Sequence, residues 1–437
     1  MDQQMKWINY PVIAGQEEFM TKAKPFTISK QSVWQAYKRI KTNRGAAGVD
    51  GQSLADFEQN LKNNLYKLWN RMSSGSYFPP PVRHVEIPKG TTGKMRPLGI
   101  PTVSDRIAQM VVKQQLEPHL DPIFHEDSYG YRPGKSAIQA VETTRRRCWR
   151  QNWVIDLDIK GFFDNLDHEL IMRALRKHTT NPWILLYVQR WLEAPLQRED
   201  GSQQERVKGT PQGGVVSPLL ANLFMHYAFD EWLRRHHPNI QFARYADDAI
   251  VHVKTLKQAR FILKRIRKRL RQCGLELHPE KTRIVYCKDS DRTDRYEHVS
   301  FDFLGFTFQP RRARNRHGKF FVSFLPGISK KAANAIRNRI RSWRLGATRN
   351  NQRLEEIARL VNPHVRGWIN YYGRFYKSAL YPILRCLERA MVYWVQRKFK
   401  RFHRHHRRAW YWLGGVAQRN PRMFAMWEFG IRPAAGP

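Results

Sequence analysis

With 437 residues and 77 Lys+Arg against 37 Asp+Glu, a formal net charge of +40, the chain is long enough for about two to four domains, and its natural partner is a polyanion, nucleic acid first and a membrane surface second. No apolar run approaches the roughly 18 residues a spanning helix needs, and the opening MDQQMKWINYPVIAG lacks a signal-peptide core, so the chain reads as cytoplasmic. The cysteines Cys148, Cys273, Cys287 and Cys386 form no CxxC pair, which argues against a disulfide framework or a zinc ribbon and leaves them as core thiols.

In chain order, residues 29–71 read as helices: SKQSVWQAYKRI has apolar residues at helical spacing, Gly45, Gly48 and Gly51 interrupt it, and SLADFEQNLKNNLYKLWNRM resumes it. VRHVEIPKGTTGKMRPLGIP alternates like a strand hairpin with KGTTGK as its turn, and a helical period returns from Asp105 to Leu120. The middle alternates strand-like and helical runs: WVIDLDI at 153–159, HELIMRALRKH at 168–178, ARYADDAIVHV at 243–253 and LKQARFILKRIRKRLRQCG at 256–274. That alternation predicts a sheet with helices on one face, an α+β layer. After Pro326 the pattern becomes long, basic, amphipathic helices, with a domain boundary expected within 310–328, at QPRRARNRHGK. From Arg311 to the end there are 29 Lys+Arg and 4 Asp+Glu, so about 25 of the 40 net charges sit in the last third.

Two aspartate sites stand out. WVIDLDIKGFFDNLDH ends an apolar run in Asp156, Asp158 and Asp164, and YADD puts Asp247 and Asp248 inside a second apolar run beside Arg244 and Ala249. Were the two runs neighbouring strands, Asp158 and Asp247 would lie side by side, and close carboxylates destabilise one another unless a divalent cation neutralises them. Oxygen donors without nearby His or Cys favour Mg²⁺, and two such ions roughly 3.5–4 Å apart serve in-line nucleotidyl transfer. An isolated DD is more often a turn or a solvated helix start, but apolar surroundings weigh against that here, since buried unpaired acids need a reason. Asp164 is better placed as a helix cap, with HELIMRAL following.

The ordered set DLDIKGFFDNLDH, GTPQGGVVSPLLANLF, YADD, GLELHPEKTRIV and FDFLGF closely resembles the palm motifs of reverse transcriptases. EIPKGTTGKMRPLGIPTVSDR and SYGYRPGKSA resemble their finger motifs, and NPHVRGWINYYGRF resembles the maturase, or X, domain of group II intron-encoded members. The resemblance runs from about residue 30 to beyond 400. It implies a right-hand polymerase of α+β class, with an N-terminal extension at 1–75, fingers at 76–150, an antiparallel palm at 151–325 and a basic helical thumb/X domain with a tail at 326–437.

By that resemblance Asp158 and Asp247 bridge two Mg²⁺ ions, for which Mn²⁺ could substitute, and Asp248 assists. One ion would activate the primer 3′-hydroxyl; the other would hold the triphosphate. Asp156 competes with Asp158, but only Asp158 has the family's spacing to Phe163, the residue expected to exclude a ribose 2′-OH. One of Phe162 and Phe163 is otherwise simply core. Lys89 and Arg96, flanking the KGTTGK turn, are placed on the incoming triphosphate, with Lys94 a solvated neighbour. In PQGG, Pro211, Gly213 and Gly214 would approach the template–primer, where missing side chains let a base pair pass, and Gln212 the nascent pair. Ala246 would lie beneath the primer end, and FDFLGF would form a primer-gripping hairpin whose aromatics are mainly core. SPLLANLFMHYAFDEWL reads as a mostly buried palm helix.

In the basic third, SKKAANAIRNRIRSWRL sets Arg337, Arg341 and Arg344 on one stripe and Ile336, Ile340 and Trp343 on another, so the helix can pack by one face and hold phosphates by the other. Arg366, Lys398, Arg401 and Arg404 extend the RNA-binding expectation. RKFKRFHRHHRRAWYW interleaves bases with Phe399, Phe402, Trp410 and Trp412, a recipe for stacking on unpaired bases. A metal site at His403, His405 and His406 is disfavoured by the surrounding cations.

The expected activity is RNA-directed DNA synthesis from dNTPs on an RNA or DNA template–primer, by a monomer or homodimer that is bacterial and nucleoid-associated. The expected partner is a structured RNA such as a group II intron, with roles in splicing and retrohoming. A free-standing enzyme used by the host for DNA repair or end joining, or an RNA-binding maturase without polymerase activity, are the alternatives. No zinc-type cysteine pairs or His-Asn-His motif of an endonuclease follow the X-like segment, so no endonuclease is expected.

Overall fold

The computed structural model describes residues 24–43, 45–88 and 95–436; Lys89, Lys94 and the rest of the KGTTGK turn lie outside them. The strands among the described residues are β1 (Val82–Pro88), β2 (Met95–Ile100), β3 (Trp153–Leu157), β4 (Leu196–Gln197), β5 (Gln203–Gln204), β6 (Gln241–Tyr245), β7 (Asp248–Val253), β8 (Arg283–Tyr286), β9 (Phe301–Phe303), β10 (Phe306–Arg314) and β11 (Phe320–Ile328). Among the described residues two compact units form, one from those up to 134 with 159–238 and 266–277, the other from 135–158, 239–265 and 278–436. No helix among the described residues is long and apolar enough to cross a membrane.

The first unit is mainly helical. Lys30–Lys41 starts at Ser29, whose hydroxyl accepts from Ser32 N, and Leu54–Gln59 starts with a capping box between Ser53 and Asp56. Lys30–Lys41 and Leu61–Ser73 pack on Val103–Leu120, a helix buried along most of its first half. The expected hairpin forms, β1 pairing antiparallel with β2 from Arg83 opposite Ile100 to Pro88 opposite Met95, and β4 and β5 extend the sheet in the order β2-β1-β4-β5.

Two details of this unit differ from expectation. Helix His168–Arg176 is capped by Asp167, which accepts from Leu170 N at 2.8 Å; Asp164 lies three residues earlier in a short 3₁₀ turn, Phe162–Asp164. Any acid in DNLD could have served, and the helix begins only where its apolar face can bury Ile171, Met172 and Leu175. The stretch expected as one palm helix is buried as foreseen but is interrupted: Ser217–Met225 passes through a π turn, His226–Asp230, before Glu231–His236. Arg269 donates to the carbonyls of Tyr227 and Ala228 at 3.1 Å each, satisfying groups the π turn displaces.

The second unit holds a fully antiparallel sheet in the order β6-β7-β3-β8, with helix Ala137–Arg150 packed on β6 and β11. This is the α+β layer the alternation predicted. The run ARYADDAIVHV is not one strand: it splits into β6 and β7 with Ala246 and Asp247 as a two-residue turn, Tyr245 pairing with Asp248. Ala246 takes φ +58, the sign such a hairpin requires, and the lack of Gly or Asn-Gly is why the apolar run looked unbroken. FDFLGF forms the expected hairpin, Leu304 and Gly305 turning at φ +50 and +81 between β9 and β10. QPRRARNRHGK is itself strand β10 and a turn, for β10 pairs with β11 over nine residues.

Beyond β11 come the amphipathic helices, chiefly Lys330–Ser342, Leu354–Tyr372, Tyr381–Lys398 and His406–Arg419. Their apolar faces close over Ile336, Ile340, Val361, Leu387, Trp394, Leu413 and Trp427, each such buried side chain contributing roughly 1.5–3 kcal/mol.

Candidate active site

In the second unit, β3 ends where β7 begins. Leu157 pairs with Ala249, so one step further along the same register brings Asp158 opposite Asp248. Asp156, two residues before Asp158, shares its face of the strand. Burial raises the Asp156 carboxyl to about 8, and the charges of Asp248, Asp158 and Asp302 push the same way. Asp302 belongs to β9, where it accepts from the Thr307 hydroxyl. Asp247 sits half-exposed in the turn and Asp248 is exposed beside it. Asp158 and Asp248 thus follow the last β3–β7 pair on their two strands, and the charges of both reach Asp156, the competitor of Asp158 in the sequence.

The segment HPEKT cradles Asp158. His278 N donates to the Asp158 carbonyl at 2.8 Å, and the Thr282 hydroxyl lies 3.3 Å from both its backbone N and its carbonyl oxygen. Lys281 Nζ is 3.3 Å from each carboxylate oxygen of Asp158. On the other side of the corner Arg244, completely buried, donates from Nη1 to the Ala246 carbonyl at 2.8 Å. Sequence reading quoted this motif without seeing that Lys281 and Thr282 grip Asp158, and noted Arg244 only as a flank. A full charge inside an otherwise apolar strand was the available signal.

Whether these residues suit a divalent cation turns on donor chemistry. Carboxylate oxygens without thiol or imidazole match a hard ion, and the gathered like charges that raise Asp156 are what such an ion would relieve. The Lys281 ammonium already stands on Asp158 as a monovalent cation. Among the described residues no three His, Cys, Asp or Glu side chains are grouped so as to hold a metal ion. The donor set fits.

Of the residues expected at the nucleotide and template–primer, Arg96, Phe163, Pro211, Gln212, Gly213 and Gly214 lie in the first unit and Ala246 in the second. Arg96 Nε donates to Gln212 Oε1 at 2.7 Å, so these two are brought together. Phe163 is 9% exposed and Phe162 3%, edge to face at 5.2 Å; both are core, with Phe163 at the margin. Thr210, next to Pro211, donates from its N to the Phe163 carbonyl at 2.8 Å. The glycines of PQGG have close protein neighbours. A Cβ on Gly213, at φ +132, would stand 2.4 Å from the Gly99 carbonyl oxygen, and one on Gly214 equally close to the Ser217 hydroxyl. Gly99 N donates to the Gln212 carbonyl and locks β2 to this turn, so a side chain on Gly213 would meet the protein's own backbone.

A buried network unforeseen in the sequence supports the turn. Gln109 Oε1 accepts from Val215 N at 2.7 Å and Val216 N at 3.2 Å, while its Nε2 donates to Asp105 at 2.9 Å. Asp105, 1% exposed, also accepts from Trp191 Nε1 and Tyr77 OH.

In the basic third Arg337, Arg341, Arg344 and Arg366 lie on the surface side of their helices, with Ile336, Ile340 and Trp343 buried as expected. Arg401 and Arg404 are exposed, as are His403, His405 and His406. Lys398 differs: its ammonium donates to the carbonyls of Asn350 and Gln352 at 2.9 and 2.6 Å, a structural clamp. Of the aromatics foreseen as a stacking surface, Phe402 lies in the core and Phe399, Trp410 and Trp412 pack against it half-buried. Phe402 is buried, and Phe399, Phe402 and Trp412 meet one another at 5.1 to 6.2 Å. Bases alternating with aromatics fit a solvated rim over a core as well as a stacking face, and here the chain folds back at 399–405 to close that core.

The family model "Reverse transcriptase (RNA-dependent DNA polymerase)" matches residues 87–308, and "Group II intron, maturase-specific domain" matches residues 333–412. The group II intron-encoded protein LtrA of Lactococcus lactis subsp. cremoris is 32% identical over 212 residues, 48% of this chain but 35% of LtrA. Protein YkfC of Escherichia coli K12 is 31% identical over 341 residues, 69% of this chain and 85% of YkfC. A telomerase structure from Candida albicans with a TWJ fragment of telomeric RNA covers 86% of this chain and 67% of its own at 11% identity and a TM-score of 0.44. The chain belongs to the reverse transcriptase family and carries its group II intron maturase-specific domain. That family generally uses divalent metal ions.

Proposed function

We propose that the chain extends a primer 3′-hydroxyl with dNTPs on an RNA or DNA template, as an RNA-directed DNA polymerase. The observation that supports this is the placing of Asp158 and Asp248 just beyond the last β3–β7 pair, both charging Asp156, with Asp247 in the adjoining turn. Asp158 and Asp247 would hold two Mg²⁺ ions, with Asp248 assisting. Bound there, the ions would make the primer hydroxyl more acidic and neutralise charge on the triphosphate. Arg96, kept in place by Gln212, would bond the triphosphate, Lys89 would join it, and Phe163 would crowd the sugar 2′ position. Pro211, Gly213, Gly214 and Ala246 would shape the template–primer side. In this reading residues 1–75 are the N-terminal extension, 76–150 fingers, 151–325 palm and 326–437 thumb and maturase domain.

The exposed cations Arg337, Arg341, Arg344, Arg366, Arg401 and Arg404 support binding of a structured RNA, a group II intron being the partner that the maturase-specific domain favours. Purified protein with poly(rA)/oligo(dT), dTTP and Mg²⁺ should extend the primer. Asp247→Ala should abolish extension while retaining RNA binding, and undiminished extension would refute the assignment. Phe163→Val should raise rNTP incorporation, and unchanged sugar selectivity would remove it as the gate.

A further inference from the structure

The β10–β11 hairpin carries a surface that neither the carboxylate corner nor the helical core uses. Its strands pair from Phe306 opposite Ile328 to Arg314 opposite Phe320. One face therefore holds Phe306, Phe308, Phe324, Val322, Phe320, Arg312 and Arg314, since residues directly opposite share a face. Near the base this stripe is core: Phe306, Phe308 and Phe324 are fully buried, with Phe301 stacked on Phe308 at 4.7 Å. Towards the tip the same stripe runs into solvent, Phe320 54% and Val322 38% exposed, with Phe321 at 41% on the reverse face. The Arg312 guanidinium lies 3.8 Å from the Phe320 ring centroid and Arg314 5.9 Å from it. Residues 306–328 hold five Lys and Arg and no Asp or Glu.

We propose that the tip of this hairpin is a stacking platform for unpaired nucleotides. An exposed ring flanked by guanidinium groups offers a flat apolar face to a base and cations to its phosphates, which suits a single strand. A duplex keeps its bases stacked inside and offers only phosphates. A second copy of the chain suits the surface poorly. It would bring the same five uncompensated cations against these. The free edge of β11 is also partly closed to strand addition: Val322 bonds Ser290 through both N and carbonyl oxygen, and Trp149 Nε1 donates to the Phe324 carbonyl. The polymerase reading suggests the class of partner but not the surface, and Asp247→Ala should leave this binding untouched, so the two readings fail separately.

The test compares fluorescently labelled oligo(rU) and oligo(dT) of about 12 nucleotides with an RNA duplex of equal length, by anisotropy. Phe320→Ala should weaken single-strand binding about tenfold and duplex binding less than about twofold, and Phe320→Trp should restore the wild-type value. The paired variant Arg312→Gln, Arg314→Gln should weaken both ligands and reduce the salt slope by about two. The two oligonucleotides distinguish RNA from DNA as the source of the bases. Other basic surfaces could mask the affinity change, so 4-thiouridine crosslinking of oligo(rU) to the wild type provides a second reading: the crosslinked peptide should contain Phe320–Val322. No crosslink there, equal losses on single strand and duplex, or a dimer that Phe320→Ala dissociates with RNA affinity unchanged would each overturn the proposal.

Discussion

Lys281 Nζ lies 3.3 Å from both carboxylate oxygens of Asp158, so an ammonium occupies the group that would ligate a divalent cation. The pair is partly exposed, 52% and 34% for the two side chains, and ion pairs so placed are worth about 0–1 kcal/mol. Lys281 is then a weak competitor at Asp158. Lys281→Gln should lower the Mg²⁺ concentration for half-maximal extension by up to about fivefold, read from a magnesium titration of primer extension. A higher requirement in the variant would show that Lys281 assists the ion.

Ala246 turns the YADD hairpin at φ +58 while 6% exposed, a backbone conformation that costs a non-glycine residue roughly 1–2 kcal/mol. Ala246→Gly should stabilise the fold by up to about 1 kcal/mol, and Ala246→Val should destabilise it by about 1–3 kcal/mol and slow primer extension. Chemical denaturation of the three proteins measures this. A glycine variant less stable than wild type would mean that the Ala246 methyl packs better than the strain it incurs.

Most of the scaffold was legible because it follows from periodicity. Helices such as Lys30–Lys41 and hairpin β1–β2 carry their own apolar spacing and turn residues. The YADD turn was not, because the Ala246 carbonyl is held by the buried Arg244 two residues earlier, a contact that no turn-forming residue signals. Asp105 escaped notice for a similar reason. An acid in the first turn of a helix ordinarily faces water, and only the fold reveals that Trp191 and Tyr77 reach it from distant segments. Motif order pointed to Asp158, Asp247 and Asp248 as a set, whereas the proximity of Asp156 to Asp248 and Asp302 depends on the strand register, which no motif spells out.

Gly213 joins the PQGG turn to β2. Gly213→Ala would set a methyl 2.4 Å from the Gly99 carbonyl oxygen at φ +132, and both the clash and the conformation oppose it. The turn must move away from β2, separating Gln212 from Arg96. KM for dNTP should rise by about tenfold or more, the scale of about 1.4 kcal/mol lost at one directional contact, with RNA affinity within about twofold of wild type. An unchanged KM would show that the Arg96–Gln212 contact does not serve the nucleotide.

Asp105 gives the fold a pH dependence of known sign. Burial raises its carboxyl from 3.8 to about 6, against the bonds from Trp191, Tyr77 and Gln109 that favour the charged form. The folded state therefore holds this proton more tightly than the unfolded chain does. Its contribution to stability is complete below pH 3.8 and is lost as pH rises through about 6. A gap of about two pH units corresponds to roughly 3 kcal/mol. Asp105→Asn cannot titrate, so the stability of wild type relative to this variant should fall by up to about 3 kcal/mol between pH 4 and pH 7, measured by urea unfolding at each pH. Because Gln109 links Asp105 to Val215 and Val216, the variant should also loosen the PQGG turn and raise the dNTP KM without weakening RNA binding. A relative stability flat with pH would show that the three donors balance the burial and the carboxyl ionises alike in the folded and unfolded chain; one rising with pH would show that they outweigh it.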